Sequence, residues 1–483
     1  MRRTYGTGSL AKRRMITDDV LWRSALELAV LIRTKQVSPV EVTERVLERI
    51  ELLNPRLNAF CHVAREAAQS AAREAEIAVT KGEPLGLLHG VPFSAKDVLE
   101  TRGIATTYGS RLFADGVPEH DAVAVARLRA DRAVILGKTT TSEFGHKAIT
   151  ESPLFGVTRN PWNLDCTPGG SSGGAAAAVA SGLGAIALGT DGGGSVRIPA
   201  AFCGVFGFKP SFGRVPTHPA SLGWSHVDHV GPITRTVRDA AAVLDVIAGG
   251  DDRDRLSLAT SPGSYLEACD DDIKGLHVAW SADLGYATVT QEVRALCENA
   301  AAEFEGLGCH VEVVSPGWEN PESHFGTLIA AQFYAAWSDR LPAAETLMDA
   351  TLVKFIRRGG GISAREYLLA CAAAEAYWQE VRTFLERFDL LLTPTVAVAA
   401  FGAGQPPPRE IEGEAVSVLG WMPFTYPFNL TGQPAASVPV GFTEAGLPVG
   451  LQIVGRRHAD RTVLAAARAF ETACPWNDRC PPV

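Results

Sequence analysis

The sequence predicts one large α/β domain: a mixed, mostly parallel β-sheet covered by helices on both faces. Three observations point there. Strand-like and helix-like patterns alternate along nearly all 483 residues. No linker-like segment, internal repeat or heptad run interrupts them. Hydrophobic residues make up 46% and charged residues 20%, an ordinary globular mix that excludes disordered and collagen-like chains. A prior of roughly 150 residues per domain would suggest about three units. Nothing in the composition marks a boundary, so residues 17–483 read as a single domain.

The elements follow in order. Ser38-Pro39-Val40-Glu41 is a capping box with proline at the first helical position. Val42, Val46, Ile50 and Leu53 then recur on one apolar face, and Pro55 is expected to close the helix. A helix over about Ala64–Thr80 precedes an apolar strand around Leu87–Phe93. Val123–Ala130 reads as helix, and Ala133–Leu136 as a buried strand ending at Gly137. Past Gly169 come a small-residue helix (about Gly174–Ser181), a strand (Ala185–Leu188) and a helix (Thr236–Ala248). The second half continues with strand Leu276–Trp280, helix Val293–Phe304 and strand His310–Val314. A capped helix opens at Ser363-Ala364-Arg365-Glu366, and strand Leu390–Leu392 follows. Strands near Ala436–Val440 and Val449–Val454 and a helix from about Thr462 end the pattern.

Charge and cysteine usage exclude whole classes. Forty-five basic against 54 acidic residues give a net charge of -9, the wrong sign for a general nucleic-acid binder. No apolar run approaches the roughly 18 residues of a membrane span. The 9 cysteines are odd in number, widely spaced and without a CxxC pair, so neither a disulfide framework nor a thiolate metal site is expected. Cys61, Cys166, Cys203 and Cys371 read as small buried hydrophobes, which fits a reducing cytoplasm. Met1–Met15 is polar and basic and lacks the apolar segment of a secretory signal. Residues 1–16 read as a flexible tail, with Met15 as an alternative start.

The chemistry concentrates in two glycine-serine clusters, Pro168–Gly174 and Gly189–Arg197. Glycines allow the backbone to approach a ligand closely, and consecutive N–H groups can converge on an anion. A serine ending such a loop would have an oxyanion site beside it, the arrangement acyl transfer needs. Competing motifs fail. No lysine follows either cluster, as a P-loop requires, and Gly192, Gly194 and Arg197 break a dinucleotide fingerprint. Gly170-Ser171-Ser172-Gly173-Gly174 satisfies GxSxG around Ser172, but the preceding Asn160–Asp165 is not the buried strand a nucleophile elbow needs. His226-Val227-Asp228-His229 looks metal-like but lies in a turn-rich loop without a third ligand nearby. No metal and no cofactor are expected. Gly90-Val91-Pro92-Phe93-Ser94-Ala95-Lys96-Asp97 puts a lysine after an apolar strand, where desolvation favours the neutral amine. By itself this segment leaves open an exposed or ion-paired strand end.

The segments GVPFSAKD, TPGGSSGG and GTDGGGSVRIPAAFCGVFGFKPSFGRV resemble the amidase signature family in wording, order and spacing. Lys96 precedes Ser171 by 75 residues, and Ser171 precedes Ser195 by 24. GPITRTVRDAA (Gly231–Ala241), FDLLLTPT (Phe388–Thr395) and NLTGQPAASVPVG (Asn429–Gly441) extend the likeness from about residue 17 to the end, around a core of about 85–250. The resemblance implies the amidase signature fold, with Ser195 as nucleophile, Ser171 as a bridging serine at a cis peptide, and Lys96 as general base. The backbone N–H groups of Gly192, Gly193, Gly194 and Ser195 would hold the oxyanion. Ser172 would orient, and Asp191 and Arg197 would brace the loop. A charged Asp97 carboxylate beside Lys96 would favour the ammonium, so Asp97 is expected to point elsewhere or to be neutralised. Members commonly carry threonine or isoleucine at the position of Gly192, so its bareness would loosen the loop or widen the pocket.

Within that family the sequence favours a stand-alone amide hydrolase, a monomer or homodimer, on apolar or aryl amides. Carbamates and cyclic oligoamides remain open as substrates. A glutaminase subunit of a tRNA-dependent amidotransferase is disfavoured, because Arg357-Arg358-Gly359-Gly360-Gly361-Ile362-Ser363 departs from the segment expected there. Ala364–Trp378 looks instead like broad-specificity amidases. A non-catalytic scaffold is disfavoured by the presence of Lys96, Ser171 and Ser195 together. Trp421, Met422, Phe424, Tyr426 and Phe428 are candidates to line an aromatic-accepting pocket, or else pack along a buried strand.

Overall fold

In this computed structural model, residues 18–220 and 223–483 are described. The tail expected over residues 1–16 lies outside them. Eleven strands form one sheet. In chain order they are β1 (Phe60–Val63), β2 (Pro92–Lys96), β3 (Val134–Thr139), β4 (Ile186–Thr190), β5 (Phe206–Lys209) and β6 (Val230–Thr234). They continue as β7 (His277–Trp280), β8 (His310–Val313), β9 (Leu390–Pro394), β10 (Ala435–Phe442) and β11 (Pro448–Gly455). Their order across the sheet is β1-β3-β2-β4-β6-β5-β10-β11-β9-β7-β8.

Every residue of β2, β3, β4, β5, β6, β9 and β11 is buried, so helices and loops cover the sheet on both faces. The sheet is mixed, and its parallel pairs gather in two blocks, β3-β2-β4 and β9-β7-β8. Between the blocks, and at the β1 edge, pairing is antiparallel. The β10–β11 hairpin, turned at Glu444–Gly446, supplies the short connection that an antiparallel centre permits. One domain results, with one large apolar core and a smaller second cluster around Ala176, Val196 and Ile233.

Several expected boundaries move for identifiable reasons. The helix capped by Ser38 runs Pro39–Leu57, through Pro55 rather than stopping there. A proline in the last turn removes one N–H, and Asn58 in the left-handed conformation ends the helix. Ser38 Oγ accepts from the Val40 and Glu41 N–H groups and its hydroxyl donates to Glu76, while the reciprocal bond from the Ser38 N–H to the Glu41 carboxylate is absent. The complete boxes are Ser24–Glu27 and Ser363–Glu366. Leu87–Gly90 is a turn, and the strand begins at Pro92 and ends on Lys96 itself. β3 does not end at Gly137 but bulges around it and continues to Thr139. A Cβ on Gly137 would lie 2.1 Å from the His62 carbonyl oxygen, so only glycine lets β1 pass so close. That continuation carries Lys138 into the interior.

Candidate active site

Parallel strands β2 and β4 pair side by side, and their C-terminal ends point to the same place. Crevices at such ends are the usual ligand sites of α/β sheets. β2 delivers Lys96 and β4 delivers Thr190. Lys96 Nζ lies 2.6 Å from Ser171 Oγ and 2.8 Å from Thr190 Oγ1, with the lysine fully buried. Burial lowers its pKa to about 7, against the opposing pull of the Asp228 and Asp191 carboxylates. Asp97, the next residue, points away: it accepts from the Thr107 N–H and hydroxyl at 3.0 and 2.5 Å. Burial holds its pKa above the usual carboxylate range.

The Pro168–Gly174 cluster wraps the front of this lysine. The Gly170–Ser171 peptide is cis. Thr150 Oγ1 staples the loop, donating to Gly169 O at 2.8 Å and accepting from the Gly173 N–H at 2.9 Å. Ser171 borders the cavity, whereas Ser172 turns inward: its hydroxyl donates to Thr190 O at 3.2 Å and its N–H to Ser195 O at 3.2 Å.

The Gly189–Arg197 cluster forms the opposite wall. Asp191 accepts from the Gly194 N–H at 2.7 Å and the Val196 N–H at 3.1 Å, folding the loop around its carboxylate. Arg197 grips the same carboxylate through Nε (3.0 Å) and Nη2 (2.8 Å), then reaches Thr425 O, Gln452 Oε1 and Asn429 Oδ1. Both side chains are fully buried, and burial, which alone would raise the Asp191 pKa, is outweighed by Arg197, which holds it well below the usual carboxylate range. The Gly194 N–H is therefore spent, which corrects the expectation that it faces an oxyanion. The N–H groups of Gly192, Gly193 and Ser195 make no hydrogen bond to the described residues and stay available. The Ser195 hydroxyl is likewise unbonded among the described residues and borders the cavity.

That cavity, of about 350 Å³, is walled by Tyr108, Phe113, Phe144, Trp224 and Trp337, with Glu100 and Arg340 also lining it. Trp421, Met422, Phe424 and Tyr426 do not line it, a second correction. They are buried behind the two glycine-serine loops, where Trp421 packs on Phe202 and Phe401, and Tyr426 stacks on Phe325 and donates to Asn320. Phe428 is buried in the short helix that follows. The bareness of Gly192 widens nothing: a Cβ there would meet the Trp224 ring at 2.5 Å, so the indole already fills that space.

His229, half of the metal-like pair, is fully occupied. Its Nδ1 faces the Asp191 and Val227 carbonyls at 3.0 and 2.8 Å, and its Nε2 lies 3.2 Å from Lys209 Nζ. Among the described residues no group of three or more His, Cys, Asp or Glu side chains is arranged to hold a metal ion.

Comparison with known proteins places these loops in context. Residues 41–464 match the amidase family. An acylamidase of Rhodococcus erythropolis is 41% identical over 471 residues, covering 97% of this chain and 98% of its own. A glutamyl-tRNA(Gln) amidotransferase chain of Moorella thermoacetica is 37% identical, covering 96% of this chain and 99% of its own. The crystal structure of a bacterial aryl acylamidase of the amidase signature enzymes superposes with a TM-score of 0.90 at 35% identity, covering 95% of this chain and 98% of that one. The chain belongs to the amidase family. Its reaction class is hydrolysis of carbon–nitrogen amide bonds. Among the described residues no helix is long and apolar enough to cross a membrane.

Proposed function

We propose that the protein is a stand-alone acylamidase that hydrolyses aryl or otherwise apolar amides through an acyl-enzyme on Ser195. The observation that carries this reading is the buried Lys96 amine, 2.6 Å from Ser171 Oγ at the edge of the cavity onto which Ser195 opens. Neutral Lys96 takes the Ser171 proton as Ser171 takes that of Ser195, and Ser195 Oγ attacks the amide carbon. The N–H groups of Gly192, Gly193 and Ser195 hold the developing oxyanion. Collapse returns the proton to the leaving nitrogen, and water, deprotonated by the same relay, frees the acid. The Ser171 and Ser195 hydroxyls are not hydrogen-bonded to each other here, and such contacts commonly tighten only with substrate in place.

The aromatic cavity supports the substrate class. A ring slides between flat walls that a primary glutamine amide would leave unfilled, and the acylamidase and aryl acylamidase relatives agree with that reading. Carbamates, which pass through the same kind of tetrahedral intermediate, fit the same relay. All nine thiols are free, consistent with a reducing cytoplasm as the place of action. A monomer or simple homodimer suffices, since Lys96, Ser171 and Ser195 come from one chain.

Labelling with a fluorophosphonate serine probe tests the assignment. Ser195→Ala is expected to abolish labelling, while Ser172→Ala keeps it together with measurable hydrolysis of 4-nitroacetanilide. Labelling that survives Ser195→Ala and disappears in Ser172→Ala would transfer the nucleophile to Ser172.

A further inference from the structure

Trp224 bridges two pieces of the site. Its indole Nε1–H donates to the Phe144 carbonyl at 3.0 Å, and its ring meets Phe333 edge-on at 5.5 Å between centroids. On the other side it lies against Gly192, where an added Cβ would be 2.5 Å from Cε3, 2.9 Å from Cζ3 and 3.0 Å from Cδ2. Contacts below 3.0 Å force something to shift, and an indole anchored at its nitrogen and backed by another ring has little room to do so. The ring thus lies flat against one N–H donor of the oxyanion loop, and it also lines the cavity.

From this contact we infer that Gly192 and Trp224 form one specificity element. Glycine at 192 admits the indole against the oxyanion loop, and the indole gives the cavity a flat wall there. That wall selects planar, aryl-bearing amides over small aliphatic ones. The inference rests on Ser195 being the nucleophile. It adds that the two residues cannot be changed independently: any side chain at 192 expels Trp224, and loss of Trp224 makes room for a side chain at 192.

A double-mutant cycle over wild type, Gly192→Thr, Trp224→Leu and the pair tests it, with kcat and KM measured on 4-nitroacetanilide and on propionamide. Gly192→Thr is expected to lower kcat/KM on the anilide about a hundredfold. Trp224→Leu should lower anilide turnover at least about tenfold more than propionamide turnover, mainly through KM. In the Trp224→Leu background, the further effect of Gly192→Thr should shrink by about tenfold or more. Should Gly192→Thr fail to fold, Gly192→Ala replaces it, because the Cβ alone makes the contact. Effects that multiply independently, or an unchanged anilide preference in Gly192→Thr, would overturn the pairing. Fluorophosphonate labelling of the wild type separates the two ideas. Labelling at a residue other than Ser195 removes the Ser195 acyl-enzyme reading, whereas labelling at Ser195 with independent effects removes only the Gly192–Trp224 element.

Discussion

Lys96 ends β2, Lys138 stands one residue before the end of its parallel neighbour β3, and both are completely buried. Burial lowers the pKa of each, to about 7 for Lys96 and about 8 for Lys138. Their hydrogen bonds separate them. Lys138 Nζ faces Leu99 O, Thr101 Oγ1 and Thr106 Oγ1. Thr101 has already spent its hydroxyl hydrogen on Leu99 O at 3.0 Å, and Thr106 its own on Ile104 O at 3.3 Å. Three acceptors therefore await three N–H bonds, which only the ammonium supplies, and the Asp97 carboxylate favours that charge. Lys96 meets two hydroxyls, and among the described residues the Ser171 hydrogen has no other acceptor. A neutral amine can take that hydrogen on its lone pair while donating to Thr190. Both lysines are desolvated, but only Lys96 has a hydroxyl hydrogen left unspent beside it, as the proposed base requires.

The largest expected effect exchanges each lysine for methionine. Lys96→Met should lose about 10³-fold or more in kcat/KM with its melting temperature little changed, the scale of a lost general base. Lys138→Met should do the reverse, lowering the melting temperature by several degrees, because removing one partner strands buried polar groups. The folded fraction, counted with the serine probe, should keep kcat within about threefold of wild type. Equal losses of kcat in both variants at matched folded fraction would erase the distinction.

A pH series is next in size. Only unprotonated Lys96 has the lone pair to accept a proton, so with Lys96 as the proposed base activity should be present above its pKa and lost below it. The kcat/KM profile should rise through about pH 7 and level off on the alkaline side. Below that point it should fall about tenfold per pH unit. A profile already at its maximum near pH 5 would hand the base role to another group.

The smallest effects come from the threonines. Thr190→Val removes one hydroxyl from Lys96 and should reduce kcat about fivefold, the equivalent of about 1 kcal/mol for one hydrogen bond, with KM unchanged. Thr101→Val, the matching change at Lys138, should appear in thermal stability alone. A kcat effect of the same size in both would mean that the two lysines are coupled.

The glycine-serine clusters were legible in the sequence because they are contiguous, and chemistry confined to one loop leaves its residues adjacent. The serine caps at Ser24 and Ser363 illustrate local legibility too, although Ser24 escaped notice. What was not legible is whatever the fold assembles from afar. The cavity aromatics Tyr108, Phe113, Phe144, Trp224 and Trp337 come from separate segments and carry no periodic signal. The dense run from Trp421 to Phe428 invited a pocket reading and turned out to be core, since an aromatic side chain looks the same in sequence whether it faces a void or a neighbour. Thr190, Thr425, Asn429 and Gln452 were missed as partners of Lys96 and Arg197. Only the place of Thr190 beside Asp191, and of Asn429 in the NLTG segment, offered a hint. The fate of the Gly194 N–H was unreadable for another reason: it depends on where one carboxylate turns within its own loop.

The placement of β10 and β11 has a consequence for the making of the enzyme. These late strands lie in the middle of the sheet, between β5 and β9. Arg197, which clamps the Asp191 loop, finds its outer partners at Thr425, Asn429 and Gln452. A nascent chain that has grown only as far as Gly420 already contains Lys96, Ser171 and Ser195. Its β5 still lacks one of its two neighbours, and its buried guanidinium still lacks three of its five acceptors. The loop around Asp191 is therefore expected to be held in shape only once nearly the whole chain has been made. Fragments that stop short of Gly420 are expected to carry Lys96, Ser171 and Ser195 without hydrolysing amides.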